Sequence, residues 1–181
     1  MGDICLPGLA RTVAPGAEPL TLAEAKLYLR VDGSTEDTLI TSLIASVRQA
    51  AEEYLRRSLI TQSWKLSFND GAPGEVALPR GPVQSITSVV LKDRDGDSET
   101  YSAGNYYLNA RKDALVFDAE PYAHLVEITY QAGYGAAAAN VPDMLKAGML
   151  AHLASLYDGR GGIELPAKTE ALYAPFRVLG I

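Results

Sequence analysis

Apolar positions recur along the chain at two spacings, one typical of helices and the other of strands. Between residues 35 and 57 they recur every three or four residues, which predicts an amphipathic helix with one buried face. These positions are Leu39, Ile40, Leu43, Ile44, Val47, Ala50, Ala51, Tyr54 and Leu55. We predict two further helices, over residues 21–30 and 142–158. Thr21 and Glu24 have the T-x-x-E spacing of a capping box at the start of the first.

The middle of the chain, residues 62–132, has the patterns of strands and turns. Residues 63–68 alternate, with Trp64, Leu66 and Phe68 on one side. Short segments rich in Val and Tyr follow, and such residues are enriched in strands. We therefore predict a small antiparallel sheet inserted between the second and third helices.

Both ends of the chain differ from this middle. Residues 1–19 contain Pro7, Gly8, Pro15, Gly16 and Pro19, which is typical of a flexible N-terminal arm. Residues 163–181 are too few to build a core of their own, yet they carry a dense group of residue types that dominate protein interfaces. This group is Leu172, Tyr173, Pro175, Phe176 and Arg177. We predict that it docks on a partner and is mobile in the free chain. The alternative is that it folds back on its own subunit.

Together these patterns predict a mainly α protein with an inserted small antiparallel β-sheet, an α+β fold. We expect a helical bundle of about three helices plus an extended C-terminal tail. The predicted organisation is an arm over residues 1–19, one domain over residues 20–162 and a docking tail over residues 163–181.

Composition and charge exclude several classes of function. The 181 residues are 48% hydrophobic and 21% charged, as in globular proteins. The net charge of −6 opposes tight binding to nucleic acid, which needs clustered Lys and Arg. Cys5 is the sole cysteine, so an internal disulfide and a multi-cysteine zinc site are excluded. We expect no signal peptide and no membrane span, because no apolar run approaches the required length.

Residues able to carry out chemistry are few and scattered. Asp93, Asp95 and Asp97 alternate as in calcium loops, but the glycine and glutamate that such loops require are misplaced, so we interpret them as a hairpin turn. His124 and His152 are far apart in sequence, which gives weak evidence for a metal or an acid–base pair. We predict no catalytic residue, no cofactor, no bound metal and no enzymatic activity.

The order of these segments resembles the head–tail connector (adaptor, or head-completion) family of long-tailed phages and gene transfer agents. The likeness extends from about Pro19 to Val178, and it rests on the ordered combination of motifs. The segments that carry it are residues 19–26, 29–32, 36–40, 50–57, 61–64, 78–83, 141–142, 156–157 and 171–178. The N-terminal arm and the alanine-rich loop at residues 136–139 depart from the family pattern.

The resemblance implies a structural virion protein of the neck, between head and tail, assembled in the bacterial cytoplasm. It implies a ring homo-oligomer below the portal protein that extends the DNA channel and offers a platform to a downstream stopper or tail protein. Packaged DNA would pass through without specific binding. The docking tail would then bind a neighbouring subunit or the portal.

Two alternatives stay open at this stage. One is a different ring component of the particle, a stopper or tail terminator, although the long helix over residues 35–57 argues against such strand-dominated proteins. The other is a small metal- or ligand-binding enzyme domain built on His124, His152 or the acidic turn.

Overall fold

The computed structural model describes residues 8–159 and 165–178, and these form two compact units. The helical unit comprises residues 15–60 and 134–178, and the sheet unit comprises residues 8–14 and 61–133. Each unit is therefore built from two separate stretches of chain.

Four α-helices form the helical unit: α1 (Leu22–Leu29), α2 (Asp37–Leu55), α3 (Asp143–Tyr157) and α4 (Ala167–Tyr173). The first three lie inside the segments predicted to be helical, residues 21–30, 35–57 and 142–158. The capping box at the start of α1 is present, since the backbone N–H of Thr21 donates to Glu24 Oε2 at 2.8 Å and that of Glu24 donates to Thr21 Oγ1 at 3.1 Å. Helices α1 and α2 end at Arg30 and Arg56, both in the left-handed conformation.

The apolar faces of these helices meet in one core. Residues from α1, α2, α3 and α4 contribute to it, together with residues from the segments before α1 and after α2. The buried members are Leu20, Ala25, Ile40, Ile44, Val47, Ala51, Leu55, Leu59, Ile60, Val141, Leu145, Met149, Leu153 and Tyr173.

Eight strands form the sheet unit, in two antiparallel sheets. Their bounds are β1 (Gly8–Val13), β2 (Gln62–Asn69), β3 (Glu75–Ala77), β4 (Val83–Lys92), β5 (Ser98–Thr100), β6 (Tyr106–Leu108), β7 (Ala114–Phe117) and β8 (Leu125–Ala132). The larger sheet has the order β1-β2-β8-β4-β5 and the smaller has the order β3-β7-β6.

Alternation along the long central strands separates a buried face from a solvated one. In β8, Val126, Ile128, Tyr130 and Ala132 are buried, and the residues between them are half-buried. On the solvated side, Glu127 accepts from Lys65 Nζ on β2 at 2.6 Å and from Lys92 Nζ on β4 at 2.8 Å. These contacts lower the pKa of Glu127.

The predicted fold class, a mainly α bundle of about three helices with a small sheet and an extended tail, is wrong. The described residues form four helices and eight strands in two sheets. The sequence patterns omitted β1 and β3, which are short or exposed strands held by pairing with β2 and β7. The tail is not extended, because residues 167–173 form α4 and bury Tyr173.

The structure describes only part of the predicted N-terminal arm and of the predicted C-terminal tail. Residues 1–7 of the predicted arm and residues 163–164 and 179–181 of the predicted tail lie outside the described residues. Within the described part of the arm, Gly8–Val13 pair with β2 along one edge of the larger sheet.

Candidate functional site

The candidate docking residues occupy the end of α4 and the turn that follows it. Pro166 precedes the first residue of α4, a position where a proline fits, and residues Ala174–Phe176 form one 3₁₀ turn. The five residues are not gathered on one exposed patch. Tyr173 is fully buried, Leu172 and Phe176 are half-buried, and Pro175 and Arg177 are exposed.

Tyr173 lies against α3 at its one glycine. A Cβ atom placed on Gly148 would stand 2.5 Å from Tyr173 Cε1 and 3.0 Å from Tyr173 Cδ1. The ring therefore needs a residue without a side chain beneath it. Thr169, one turn earlier on α4, donates from Oγ1 to the carbonyl oxygen of Gly148 at 3.3 Å. The aromatic ring and this hydrogen bond fix α4 on α3.

The residues after Tyr173 bind the C-terminal end of α2. The backbone N–H of Val178 donates to the carbonyl oxygen of Leu55 at 3.1 Å, and Arg57 Nε donates to the carbonyl oxygen of Phe176 at 2.6 Å. The Leu55 carbonyl is one of the last carbonyls of a helix, which have no partner within the helix. The C-terminal segment thus supplies a hydrogen bond that α2 cannot make internally.

An aromatic and cationic contact completes this attachment. The guanidinium carbon of Arg177 lies 4.7 Å from the ring centroid of Tyr54, within the range of a cation–π interaction. The rings of Tyr54 and Tyr173 are 6.0 Å apart at their centroids and inclined by 44°. The structure matches the alternative expectation, in which the C-terminal segment folds back on its own subunit. Whether the five residues also contact a partner remains a prediction.

Two buried polar side chains near this attachment have no hydrogen-bond partner. They are the hydroxyl of Tyr173 and the imidazole of His152, both of whose ring nitrogens are buried and unpaired in the described structure. His152 lies one helical turn beyond Gly148 on the same face of α3. Burial raises the pKa of the Tyr173 phenol and lowers the pKa of His152.

The residues considered for chemistry do not converge. His124 and His152 belong to different units, and exposed His124 lies 3.5 Å from Asp70 through Nδ1 and Oδ1. In the acidic turn, Asp93 Oδ1 accepts from the backbone N–H groups of Asp95 and Asp97, each at 3.0 Å. Among the residues the structure describes, no three His, Cys, Asp or Glu side chains are grouped to hold a metal.

Sequence reasoning missed a buried charged network in the helical unit. Arg48 and Glu52 are about 5% and 6% exposed, and they pair at 2.9 Å between Nη1 and Oε2. Arg48 Nε also donates to Glu18 Oε2 at 2.7 Å, and Glu52 Oε1 accepts from the Leu59 backbone N–H at 2.9 Å. Charged residues late in an amphipathic helix are usually solvated, but Glu52 is buried. The available signal was the spacing of four residues between two opposite charges inside the apolar face.

The part of the chain that the structure describes contains no helix with the length and apolar character needed to span a bilayer.

Comparison with known proteins gives one family and a shared fold. The sequence model of the family described as phage gp6-like head-tail connector protein matches residues 19–115, more than half of the chain. No curated protein matches the chain.

Solved structures share the fold over nearly the whole length. A chain from the neck of an empty gene transfer agent (GTA) particle, computed with C6 symmetry, is 22% identical, with a TM-score of 0.80 over 96% of this chain and 97% of that one. A chain from the virion of a native GTA particle is 24% identical, with a TM-score of 0.80 over 96% of each chain. A third, from the neck of a native GTA particle computed with C12 symmetry, is 22% identical, with a TM-score of 0.76 over 96% and 97%.

Proposed function

This chain belongs to the family of phage gp6-like head–tail connector proteins, and we propose on that premise that it is a structural ring subunit of a particle neck. The particle is a tailed phage or a gene transfer agent, and the ring joins head to tail. The observation that carries the proposal is the family match over residues 19–115. The fold shared with chains from gene transfer agent necks and virions supports it, since the likeness spans 96% of the chain.

The proposed ring is made of identical copies. Two of the similar chains come from necks computed with sixfold and twelvefold symmetry. Rotational symmetry of this kind is what a ring of identical subunits has. A closed ring needs a heterologous contact, in which two different patches of each subunit meet. The partners we propose are the portal protein above the ring, a stopper or tail protein below it, and the packaged DNA that passes through its lumen.

The role is proposed to be structural, without catalysis. The family is one of structural connectors, and the described side chains that could act in catalysis are separated.

The docking residues of this proposal are Leu172, Tyr173, Pro175, Phe176 and Arg177, which would contact a neighbouring subunit or the portal. Pro175 and Arg177 are exposed in the folded subunit, whereas Tyr173 is buried and a partner could not contact it there. Deleting the segment is a poor test, because Tyr173 belongs to the core of its own unit. Single substitutions at the exposed and half-buried positions separate docking from folding.

The experiment is reconstitution of the neck. Particles that carry a portal but lack this subunit are mixed with the purified protein and with tails, and joined particles are counted. We expect the wild-type protein to form rings whose mass is a multiple of 19.3 kDa and to restore joining. Arg177→Ala and Phe176→Ala should reduce joining, whereas Lys168→Ala, an exposed cation on the same segment, should not. A wild-type protein that neither forms rings nor restores joining would overturn the proposal.

A further inference from the structure

Three arginines lie together where α2 ends. Arg56 is exposed and has the left-handed conformation that ends the helix. Arg57 Nε donates to the carbonyl oxygen of Phe176 at 2.6 Å. Arg177 follows Phe176, and its guanidinium carbon lies 4.7 Å from the ring centroid of Tyr54. We call Arg56, Arg57 and Arg177 the arginine patch, and two of its three side chains are held in place by contacts within their own unit.

These contacts leave most N–H donors of the arginine patch open. A guanidinium carries five such donors, and Arg57 uses only Nε. Within the described residues no carboxylate pairs with any arginine of the patch, whereas Lys26, Lys65 and Lys146 each pair with one. Guanidinium groups bind carboxylates through two parallel hydrogen bonds, a geometry that lysine does not offer. The arginine patch is therefore a preorganised surface for carboxylates.

The acidic turn between β4 and β5, residues 93–99, has the complementary charge. It contains four carboxylates and one arginine, and all seven of its residues are exposed. Asp93 Oδ1 fixes its shape by accepting from the backbone N–H groups of Asp95 and Asp97, each at 3.0 Å. The carboxylates of Asp95, Asp97 and Glu99 form no ion pair with other described residues. The turn thus presents three carboxylates that the described part of the subunit does not neutralise.

We propose that the arginine patch of one subunit binds the acidic turn of a second copy of this chain. Each copy then offers one basic and one acidic surface, which are the two different patches that a closed head-to-tail ring needs. Charge complementarity favours this occupant, since the turn concentrates four of the 22 acidic residues within seven positions. The inference rests on the proposed function, because it names the contact that joins the copies in the ring.

Phosphates of duplex DNA are a second class of anion that guanidinium groups bind. The net charge of −6 opposes this occupant, because tight binding to DNA requires many clustered cations and the release of many counterions. A second copy of the chain, in contrast, supplies one acidic turn for every arginine patch.

Charge reversal on each surface tests the contact, and mixing the two variants tests the pairing. The patch variant carries Arg56→Glu and Arg177→Glu, and the turn variant carries Asp95→Arg and Asp97→Arg. All four positions are exposed, and the turn variant keeps Asp93 as the acceptor that shapes the turn, so both variants should fold.

Controls with the same change of net charge exclude a general effect of charge. The control for the patch variant carries Lys112→Glu and Lys168→Glu, both at exposed positions. Lys112 matches Arg56 in backbone conformation, with φ of 54° against 55°. The control for the turn variant carries Asp32→Arg and Asp118→Arg, also at exposed positions.

Ring formation is measured in solution by native mass spectrometry, and on portal-bearing heads by the yield of joined particles. We expect either variant alone to need about a hundredfold more protein, since every junction then sets like charges against each other. An equal mixture should assemble near the wild-type concentration, because the reversed patch meets the reversed turn, and the two variants should alternate in equal numbers. Both controls should assemble as the wild type does.

Each other outcome identifies a different role for the arginine patch. Normal assembly by either variant alone overturns the contact, and so does a mixture that assembles no better than its parts. Rings of the patch variant that form normally but no longer attach to heads assign the patch to the portal. Rings that form normally but lose salt-sensitive binding to duplex DNA assign it to DNA. If the wild-type protein neither forms rings nor joins particles, the proposed function fails instead.

Discussion

The ring of Tyr173 lies over the backbone of Gly148, at a distance that leaves no room for a methyl group between them. The two residues belong to α3 and α4, and their contact fixes α4 in place. Tyr173 is fully buried in the core of the helical unit. The C-terminal segment is therefore part of the folded subunit as well as the proposed docking element.

The first prediction concerns the contribution of Tyr173 to stability. Tyr173→Ala should lower the free energy of unfolding by about 3–5 kcal/mol, as truncation of a buried aromatic residue does. Arg177→Ala, at an exposed position, should cost less than about 1 kcal/mol. Urea denaturation of the two variants measures the difference. Equal stabilities would show that Tyr173 is not buried in the free subunit.

The second prediction concerns pH. Burial lowers the pKa of His152 below its ordinary 6.5, so the unfolded chain binds a proton more readily than the folded chain. Stability should be full above about pH 6.5 and should fall as the pH drops below 6.5 towards the folded-state pKa of His152. His152→Leu should remove this fall, and His124→Gln, at an exposed histidine, should keep it. Denaturation midpoints between pH 5 and 7.5 test this, and superimposable curves for wild type and His152→Leu would contradict it.

The third prediction concerns the buried pair of Arg48 and Glu52. Glu52→Ala should destabilise the protein by about 3 kcal/mol, because Arg48 loses a buried partner while Glu18 still pairs with it. The exposed neighbour provides the control, since Glu53→Ala should change stability by about 0.5 kcal/mol or less. Replacing both partners, Arg48→Met with Glu52→Leu, should recover only part of the loss, because the buried backbone N–H of Leu59 stays without its acceptor. A double variant as unstable as Glu52→Ala would show that the pair contributes through other contacts.

The fourth prediction concerns DNA. The chain has 22 acidic and 16 basic residues, so a ring of such subunits should present a neutral to acidic lumen. Few counterions are then released on contact, and the phosphate backbone can slide. The purified ring should show no tight binding to duplex DNA in a fluorescence anisotropy titration at low salt. Tight binding that weakens steeply with salt would contradict the prediction.

Helices with strong local signals could be predicted from the sequence. The capping box of Thr21 and Glu24 and the long apolar stripe of α2 are encoded within a few residues, so no tertiary information was needed.

Elements that form only by pairing or packing with distant parts of the same chain could not be predicted. In β1 the residues are mostly exposed and do not alternate, and the strand exists because β2 offers it an edge. Helix α4 has seven residues, too few to be stable alone, and it forms because Tyr173 has a place over Gly148. For the candidate site, the sequence identified residue types that are common at interfaces. It gave no sign that one of them, Tyr173, is buried in the core of its own unit.

The interleaving of the two units sets the order in which a newly made chain can be completed. The sheet unit has all its strands once Ala132 has left the ribosome, although β1 must wait for β2 across the whole of α1 and α2. Helix α2 emerges early, but its apolar face meets α3 about 90 residues later, a delay of roughly 5–18 s at about 5–20 residues per second. We therefore expect the strands to close first and the part of the molecule that carries the proposed docking residues to be finished last. A nascent chain truncated before α3 would hold all the strands of the sheet unit and would lack the proposed docking residues.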